Sequence, residues 1–242
     1  MNNRPDIGWL TRWEYAHRGL HGAGVPENSL QAARLAIAAG MGIECDIQRS
    51  RDDQPMVFHD WELDRLTEMA GKVADMSADQ LQNLNYCDSD EHPATLRQLL
   101  DVIDGRVPLL IEIKSRRGYD VELSCSSVVE TLRGYDGHYA VMSFDPRVAR
   151  WFRRHVPQIA AGLVMREDEE GFTQKPWQRR LAMWLARPDF LAYHIQALPN
   201  PWVAHLRVRG LPILTWTVNT PATRQRALAH TDALIAEEAG LA

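Results

Sequence analysis

Short apolar runs alternate with longer stretches of helical periodicity from one end of the chain to the other. Continuous or alternating apolar residues over four to eight positions mark strands, and apolar residues spaced three and four apart mark helices. The pattern predicts strands over residues 14–17, 42–48, 107–114, 139–144, 159–164, 190–195, 211–218 and 233–236. Helices are predicted over 30–39, 95–103, 126–133, 147–155, 201–209 and 221–229, several of them opening on Ser, Thr or Pro as helix starts do. Strands and helices in this alternation form βα units around a parallel sheet, and eight strands is the number of a (β/α)8 TIM barrel.

A ninth apolar run, Pro55-Met56-Val57-Phe58-His59, follows the second strand after only Ser50-Arg51-Asp52-Asp53-Gln54. A parallel crossover needs about a dozen residues, so this run is expected to return antiparallel as a hairpin arm. His59 then folds back toward the strand that carries Glu44 and Asp46. The stretch 60–91 is polar, rich in Asp and too long for a βα loop. It is expected to be a small insertion, a subdomain or lid over one end of the barrel.

Composition narrows the class of protein. With 242 residues, 45% of them hydrophobic, and no Gly/Ser-rich or Pro-rich break, the chain is expected to be one barrel-sized domain over 1–242. A net charge of -5 and the absence of a basic stripe among the 27 Lys and Arg residues argue against nucleic acid as a partner. Cys45, Cys87 and Cys125 are odd in number and widely spaced, which suggests neither a disulfide framework nor a zinc site and fits a reducing, cytoplasmic location. Asn2, Asn3, Arg4, Asp6, Arg12 and Glu14 interrupt any apolar leader, and no run of about 18 apolar residues suggests a membrane span. Stable membrane insertion is therefore not expected.

Side chains alternate across a strand, so Glu44 and Asp46 point one way while Ile43, Cys45 and Ile47 point the other. The same alternation sets Glu112 and Lys114 together, opposite Ile111 and Ile113. Carboxylates inside a barrel must bind a cation, pair with one another or change protonation, because desolvating an isolated charge costs several kcal/mol. A buried Glu112/Lys114 salt bridge without a ligand is one resolution. A divalent cation is the other, and three carboxylates without an obligatory Cys resemble the hard oxygen sites of Mg²⁺ or Ca²⁺. Cys45, facing away, is assigned to core packing.

His17-Arg18-Gly19 closes the first strand at the end where barrel active sites lie. Arginine offers a planar fork to phosphate oxygens, and glycine permits a tight turn after it. Asn28 or Ser29 caps the next helix, with capping the favoured role of Asn28, while Glu27 either reaches the site or complements the helix N-terminus. His59-Asp60 ends the hairpin arm, and two imidazoles can serve as base and acid near neutral pH. His21, His92, His138, His155, His194, His205 and His230 lack comparable context. Trp216, in Thr215-Trp216-Thr217-Val218-Asn219, is either an aromatic wall at the barrel mouth or a packing residue. Trp177, Leu181, Trp184 and Leu185 fall at helical spacing near Arg179, Arg180 and Arg187; a barrel helix burying this stripe is preferred over one touching a membrane surface.

Taken in order, His17-Arg18-Gly19, Pro26-Glu27-Asn28-Ser29, Glu44-Cys45-Asp46, Pro55-Met56-Val57-Phe58-His59-Asp60, Leu63-Asp64-Arg65-Leu66-Thr67, Gly71-Lys72-Val73, Ile111-Glu112-Ile113-Lys114, Ser143-Phe144 and Trp216-Thr217-Val218-Asn219 resemble the glycerophosphodiester phosphodiesterase family across nearly the whole chain. The resemblance implies a (β/α) barrel with a small insertion after the second histidine. It also implies hydrolysis of glycerophosphodiesters, such as glycerophosphocholine or glycerophosphoethanolamine, to an alcohol and sn-glycerol 3-phosphate. By the same resemblance Glu44, Asp46 and Glu112 hold a divalent cation and His17 and His59 are the catalytic acid/base pair. Arg18 contacts phosphate, Lys114 adds positive charge beside the metal and Trp216 flanks the glycerol. Two departures stand out: Asp53-Gln54 where the family usually has Asp-Gly, and Ala236-Glu237-Glu238 where Thr-Asp or Thr-Asn before Pro is common. They bear on substrate preference more than on the reaction.

Competing functions are a lysophospholipase D-like activity at the same site, a metal-dependent barrel isomerase or aldolase, and an inactive barrel that binds a phosphodiester or a protein. The last two leave the pair of histidines without a task.

Overall fold

The computed structural model describes residues 5–241. Asn2, Asn3 and Arg4, which counted against a leader, lie outside the described residues. Along the chain run β1 (Tyr15–Ala16), α1 (Leu30–Ala38), β2 (Gly42–Arg49), β3 (Pro55–Val57), α2 (Ala78–Gln82), β4 (Ala94–Thr95), α3 (Leu96–Ile103), β5 (Leu109–Ile113), α4 (Val121–Leu132), β6 (Tyr139–Ser143), α5 (Pro146–His155), β7 (Ala161–Met165), α6 (Pro176–Ala186), β8 (Phe190–His194), α7 (Pro201–Val208), β9 (Ile213–Val218), α8 (Pro221–His230) and β10 (Ala233–Ala236). Every predicted strand is present. The chain divides into two compact units, one from Arg18 to His138 and one comprising the residues up to His17 and from Tyr139 onward.

In the unit from Arg18 to His138, β2 pairs in parallel with β5, and Asp46 lies opposite Glu112. On its other side β2 pairs antiparallel with β3, Ile47 opposite Val57, so the short connection does fold the chain back as a hairpin. The amide of Phe58 continues the ladder to the carbonyl of Asp46 at 3.0 Å. β4, two residues long and too short to leave a pattern in the sequence, pairs antiparallel with β3. Thr95 then caps α3 in a reciprocal capping box with Gln98. The insertion is more than a loop: Leu63, Val73, Ala78, Leu81 and Tyr86 bury themselves with Met56 and Phe58 of the hairpin. Its apolar residues thus form a small core against the hairpin rather than against the parallel strands. α4 begins at Val121, earlier than the expected 126, because Asp120 accepts a hydrogen bond from the Leu123 amide at 3.0 Å and opens the helix there.

In the other unit, β1, β10, β9, β8, β7 and β6 follow one another in a parallel sheet. These strands are buried on both faces and read as nearly continuous apolar runs. α6 reverses the expectation set by its sequence. Arg179, Ala182 and Ala186 face inward, while Trp177, Leu181 and Trp184 are 61%, 52% and 65% exposed. The two alanines permit close approach to the sheet. The Arg179 guanidinium is satisfied by Glu167 Oε2 at 2.6 Å and by the carbonyls of Gln174 and Thr173 at 2.7 and 3.2 Å. A buried cation with this many acceptors is tolerated, and it fixes which face turns in. Among the described residues, no helix is long and apolar enough to cross a membrane.

Candidate active site

Strand alternation on β2 and β5 brings Glu44, Asp46 and Glu112 together, and their carboxylate oxygens lie within 4.8 Å of one another. All three are buried. Lys114, two residues beyond Glu112 on the same face, donates from Nζ to Asp46 Oδ1 at 2.8 Å and to Glu112 Oε1 at 2.9 Å. The salt bridge expected as an alternative to a cation site is therefore present, and it does not exhaust the negative charge. Burial together with Asp46 and Glu112 pushes the Glu44 carboxyl well above its ordinary range. Burial also acts to raise Asp46, but Lys114, His59 and Arg18 overcome it and hold that carboxylate low. Burial disfavours the Lys114 ammonium, yet Asp46 and Glu112 raise its pKa on balance. Cys45 is buried on the opposite face of β2, in the core as expected.

The turn after β1 supplies a second layer. Arg18 and Gly19 both have positive φ, 56° and 77°. A Cβ on Gly19 would stand 2.8 Å from that of Ala32, so only glycine fits the turn. The Arg18 amide donates to Glu44 Oε2 at 3.1 Å, and its guanidinium reaches Glu27 at 2.8 Å and Asp46 at 3.3 Å. Asn28 corrects its expected role. Ser29 is the cap of α1, accepting from the Ala32 amide at 3.0 Å. Asn28, at φ 59°, instead pairs both ends of its amide with Asp46, donating to Oδ2 at 3.0 Å and accepting from the Asp46 amide at 3.1 Å.

Charges of alternating sign run onward from Arg18. Glu27 also accepts from Arg65 of the insertion at 2.7 Å, Arg65 pairs with Asp60, and Asp60 Oδ1 lies 2.5 Å from His59 Nδ1. Burial acts to raise Asp60, but Arg65 and His59 bring its carboxyl down to about 2. Gln48 ties the backbone here, donating to the carbonyl of His59 at 3.0 Å and to that of Asp60. Burial lowers the pKa of His59, with Lys114 and Arg18 acting in the same direction and Asp46 and Asp60 opposing. His59 is thus an imidazole biased toward its neutral form, with Nδ1 committed to Asp60.

In the other unit His17 leaves β1 with its amide bonded to the Ala236 carbonyl at 2.9 Å. Its Nδ1 lies 2.5 Å from Glu237 Oε2, a residue that follows β10 directly. Each of the two histidines is therefore held at Nδ1 by its own carboxylate, an arrangement that favours the tautomer with its proton on Nδ1. Glu237 was visible in the sequence only as a departure from the family pattern. It remains acidic where Asp is common, which was the available signal. Trp216 on β9 is partly exposed. Its indole donates to the Ala192 carbonyl at 3.2 Å, meets Phe144 edge-on at 5.3 Å and packs on His194 at 4.9 Å.

The chain matches the model of the glycerophosphoryl diester phosphodiesterase family over residues 17–240. Glycerophosphodiester phosphodiesterase 1 of Rattus norvegicus is 38% identical to it, over 85% of this chain and 71% of that one. The solved glycerophosphodiester phosphodiesterase of Thermotoga maritima is similar with a TM-score of 0.75 and 25% identity, covering 92% of each chain. A phosphodiesterase of Oleispira antarctica, solved in complex with the product sn-glycerol-3-phosphate, is similar in fold with a TM-score of 0.80 and 24% identity, covering 93% of this chain and 92% of that one. The fold is a (β/α)8 TIM barrel, as its eight parallel strands and alternating helices led one to expect. Its acidic cluster and the two carboxylate-held histidines are features of a chain that belongs to the glycerophosphoryl diester phosphodiesterase family, enzymes that hydrolyse glycerophosphodiesters.

Proposed function

We propose that residues 1–242 act as one catalytic domain that hydrolyses glycerophosphodiesters such as glycerophosphocholine and glycerophosphoethanolamine to an alcohol and sn-glycerol 3-phosphate, in cytoplasmic glycerophospholipid metabolism. His17 and His59 are the acid/base pair. Glu44, Asp46 and Glu112 hold a divalent cation, Mg²⁺ or Ca²⁺, and Arg18, Lys114 and Trp216 contact the substrate. The observation that carries this reading is the carboxylate on each imidazole, Glu237 on His17 and Asp60 on His59. A carboxylate on Nδ1 orients each imidazole for proton transfer through its other nitrogen.

The residues fit a cation. Three buried carboxylates offer only oxygen donors within 4.8 Å of each other, and burial together with Asp46 and Glu112 disfavours the charged form of Glu44, a penalty that a bound cation would offset. When bound, a divalent ion supplies further positive charge to the phosphoryl oxygens. Arg18 orients the phosphate with its planar fork, and Lys114 keeps Asp46 ionised beside it while also pairing with Glu112. His59, biased toward neutrality, takes the proton from the attacking hydroxyl, which is water or the adjacent glycerol hydroxyl; in the second case the alcohol leaves a cyclic glycerophosphate, which water then opens to sn-glycerol 3-phosphate. His17, oriented through Nδ1 by Glu237, returns a proton to the leaving alkoxide. Trp216 offers its ring edge to the glycerol carbons.

Incubation with glycerophosphocholine, with and without EDTA, followed by assay of glycerol 3-phosphate, tests the proposal. Release that EDTA abolishes and added Mg²⁺ or Ca²⁺ restores is the expected result. No release from any member of a headgroup panel in the presence of either metal overturns it.

A further inference from the structure

The outward face of α6 is a feature that hydrolysis does not use. Trp177, Leu181 and Trp184 recur at spacings of four and three, so they form one stripe along the helix, and all are more than half exposed. Phe172, in the loop leading to α6, is 81% exposed and extends the apolar character beyond the helix start. Burying this stripe was open to the chain, since α6 could have turned Trp and Leu inward. It instead buries two alanines and an arginine.

Beside the stripe the surface is basic. α6 packs against α5, and the groove between them is lined by Arg150, Arg153, Arg154, Trp184, Leu185 and Arg187. No acidic residue is in that lining, and among the described residues none of these four arginines forms an ion pair. This concentration of positive charge occurs in a chain whose net charge is -5, so it is local and not a consequence of overall composition. Tryptophan and leucine on one helix face, bordered by arginines, match the interface of an anionic bilayer. The indoles seat at the headgroup level, and long basic side chains keep their charges at the phosphates. A protein partner of ordinary composition supplies no comparable plane of negative charge.

We infer that the α5–α6 face docks peripherally on an anionic phospholipid surface, with the axis of α6 lying in the membrane plane and no segment crossing it. The inference goes beyond the proposed hydrolysis and does not depend on it.

Flotation of the full chain with vesicles of phosphatidylcholine alone, and of phosphatidylcholine with 30% phosphatidylglycerol by design, tests the inference directly. Binding is expected only to the anionic vesicles and is expected to weaken in high salt. Arg153→Glu with Arg154→Glu should weaken it about tenfold or more, at roughly 1 kcal/mol per basic residue near the surface. Trp177→Ser with Trp184→Ser should weaken it at both salt concentrations and should remove the quenching of tryptophan fluorescence by brominated lipid. These side chains are exposed, so both variants should keep the circular dichroism spectrum and the rate on a soluble diester. Equal flotation with the two kinds of vesicle, or unaltered binding by both variants, overturns the inference. A concentration-dependent dimer in sedimentation that the tryptophan variant dissociates, without vesicle binding, also overturns it and assigns the face to a second copy of the chain. Vesicle binding is read without turnover, so its failure leaves the hydrolase reading intact.

Discussion

Glu237 Oε2 stands 2.5 Å from His17 Nδ1, joining the residue after the last strand to the residue after the first. The carboxylate selects the tautomer that the proposed acid/base role of His17 requires, with Nε2 turned to the substrate. Glu237→Gln keeps the shape but offers an amide that can hold the ring in the wrong tautomer. The expected result is a fall in kcat of about 10- to 100-fold with KM little changed. Steady-state kinetics decide, with His17→Ala and His59→Ala, each expected to lose about 10²- to 10⁴-fold while remaining folded, as the reference. Full activity in either alanine variant would sink the acid/base assignment.

His59 gives the pH dependence a direction. Burial, Lys114 and Arg18 depress its pKa below the ordinary 6.5, so the proton that blocks it as a base is lost at lower pH than from a free imidazole. The acid limb of kcat/KM should therefore lie below pH 6.5. Asp60 opposes the depression, and Asp60→Asn should move that limb further toward acid while lowering the plateau. A limb above pH 7 in the wild type would remove His59 from the role of base.

At the proposed cation site, Glu44 ties metal binding to stability. Its folded pKa is raised well above the ordinary 4.5, so the neutral carboxyl is the form that the cation-free fold prefers. The stability it contributes is complete below the unfolded pKa and is lost as pH rises through the folded one. Asp46 is shifted the other way, and its contribution is already complete above its unfolded pKa, so it does not vary between about pH 5 and 8. Mg²⁺ or Ca²⁺ in roughly 100-fold excess over Kd should raise Tm by about 5–10 °C at pH 8. The rise should be smaller at pH 5, where protons compete for Glu44. Glu44→Gln should raise Tm at pH 8 without added metal and should abolish most of the metal-induced rise, as read by differential scanning calorimetry.

Lys114 bridges Asp46 and Glu112, and its removal leaves both carboxylates short of a partner. Lys114→Met is expected to cost about 3 kcal/mol in urea denaturation without metal. Divalent cations should recover more stability in this variant than in the wild type. Equal recovery in both would show that the ammonium and the cation do not share the same carboxylates.

Trp216 is fixed on three sides, by the Ala192 carbonyl, Phe144 and His194. A wall held this rigidly costs little entropy when substrate meets it. Trp216→Ala should raise KM for glycerophosphocholine several-fold, with kcat altered less. An unchanged KM would make the residue a packing element alone.

The strands and the acidic cluster were legible because both depend on local rules. Period-two alternation placed Glu44, Asp46, Glu112 and Lys114, and a five-residue connection could only return His59 as a hairpin. What escaped the sequence depends on distant register or on competition between faces. Glu237 meets His17 because β1 pairs with β10, Ala16 opposite Ala236, across 220 positions of chain. Asn28 carries the signature of a cap, but its backbone enters the left-handed region one residue before the actual cap, Ser29, and sends its amide to Asp46. α6 has an apolar stripe that periodicity assigns to the core. Two alanines and the acceptors waiting for Arg179 outweigh that stripe and turn it outward.

Arg65 belongs to the insertion, yet it clasps both Glu27 and Asp60, the partners of Arg18 and His59. The insertion therefore cannot be exchanged as a free ornament. Anyone grafting another loop here to change headgroup preference must keep a guanidinium at this one position, or disturb at the same stroke the carboxylates that hold Arg18 and His59. Elsewhere in the insertion sequence can drift at the cost of its own small core; at position 65 a change reaches through Glu27 and Asp60 to the two side chains proposed to bind phosphate and move the proton.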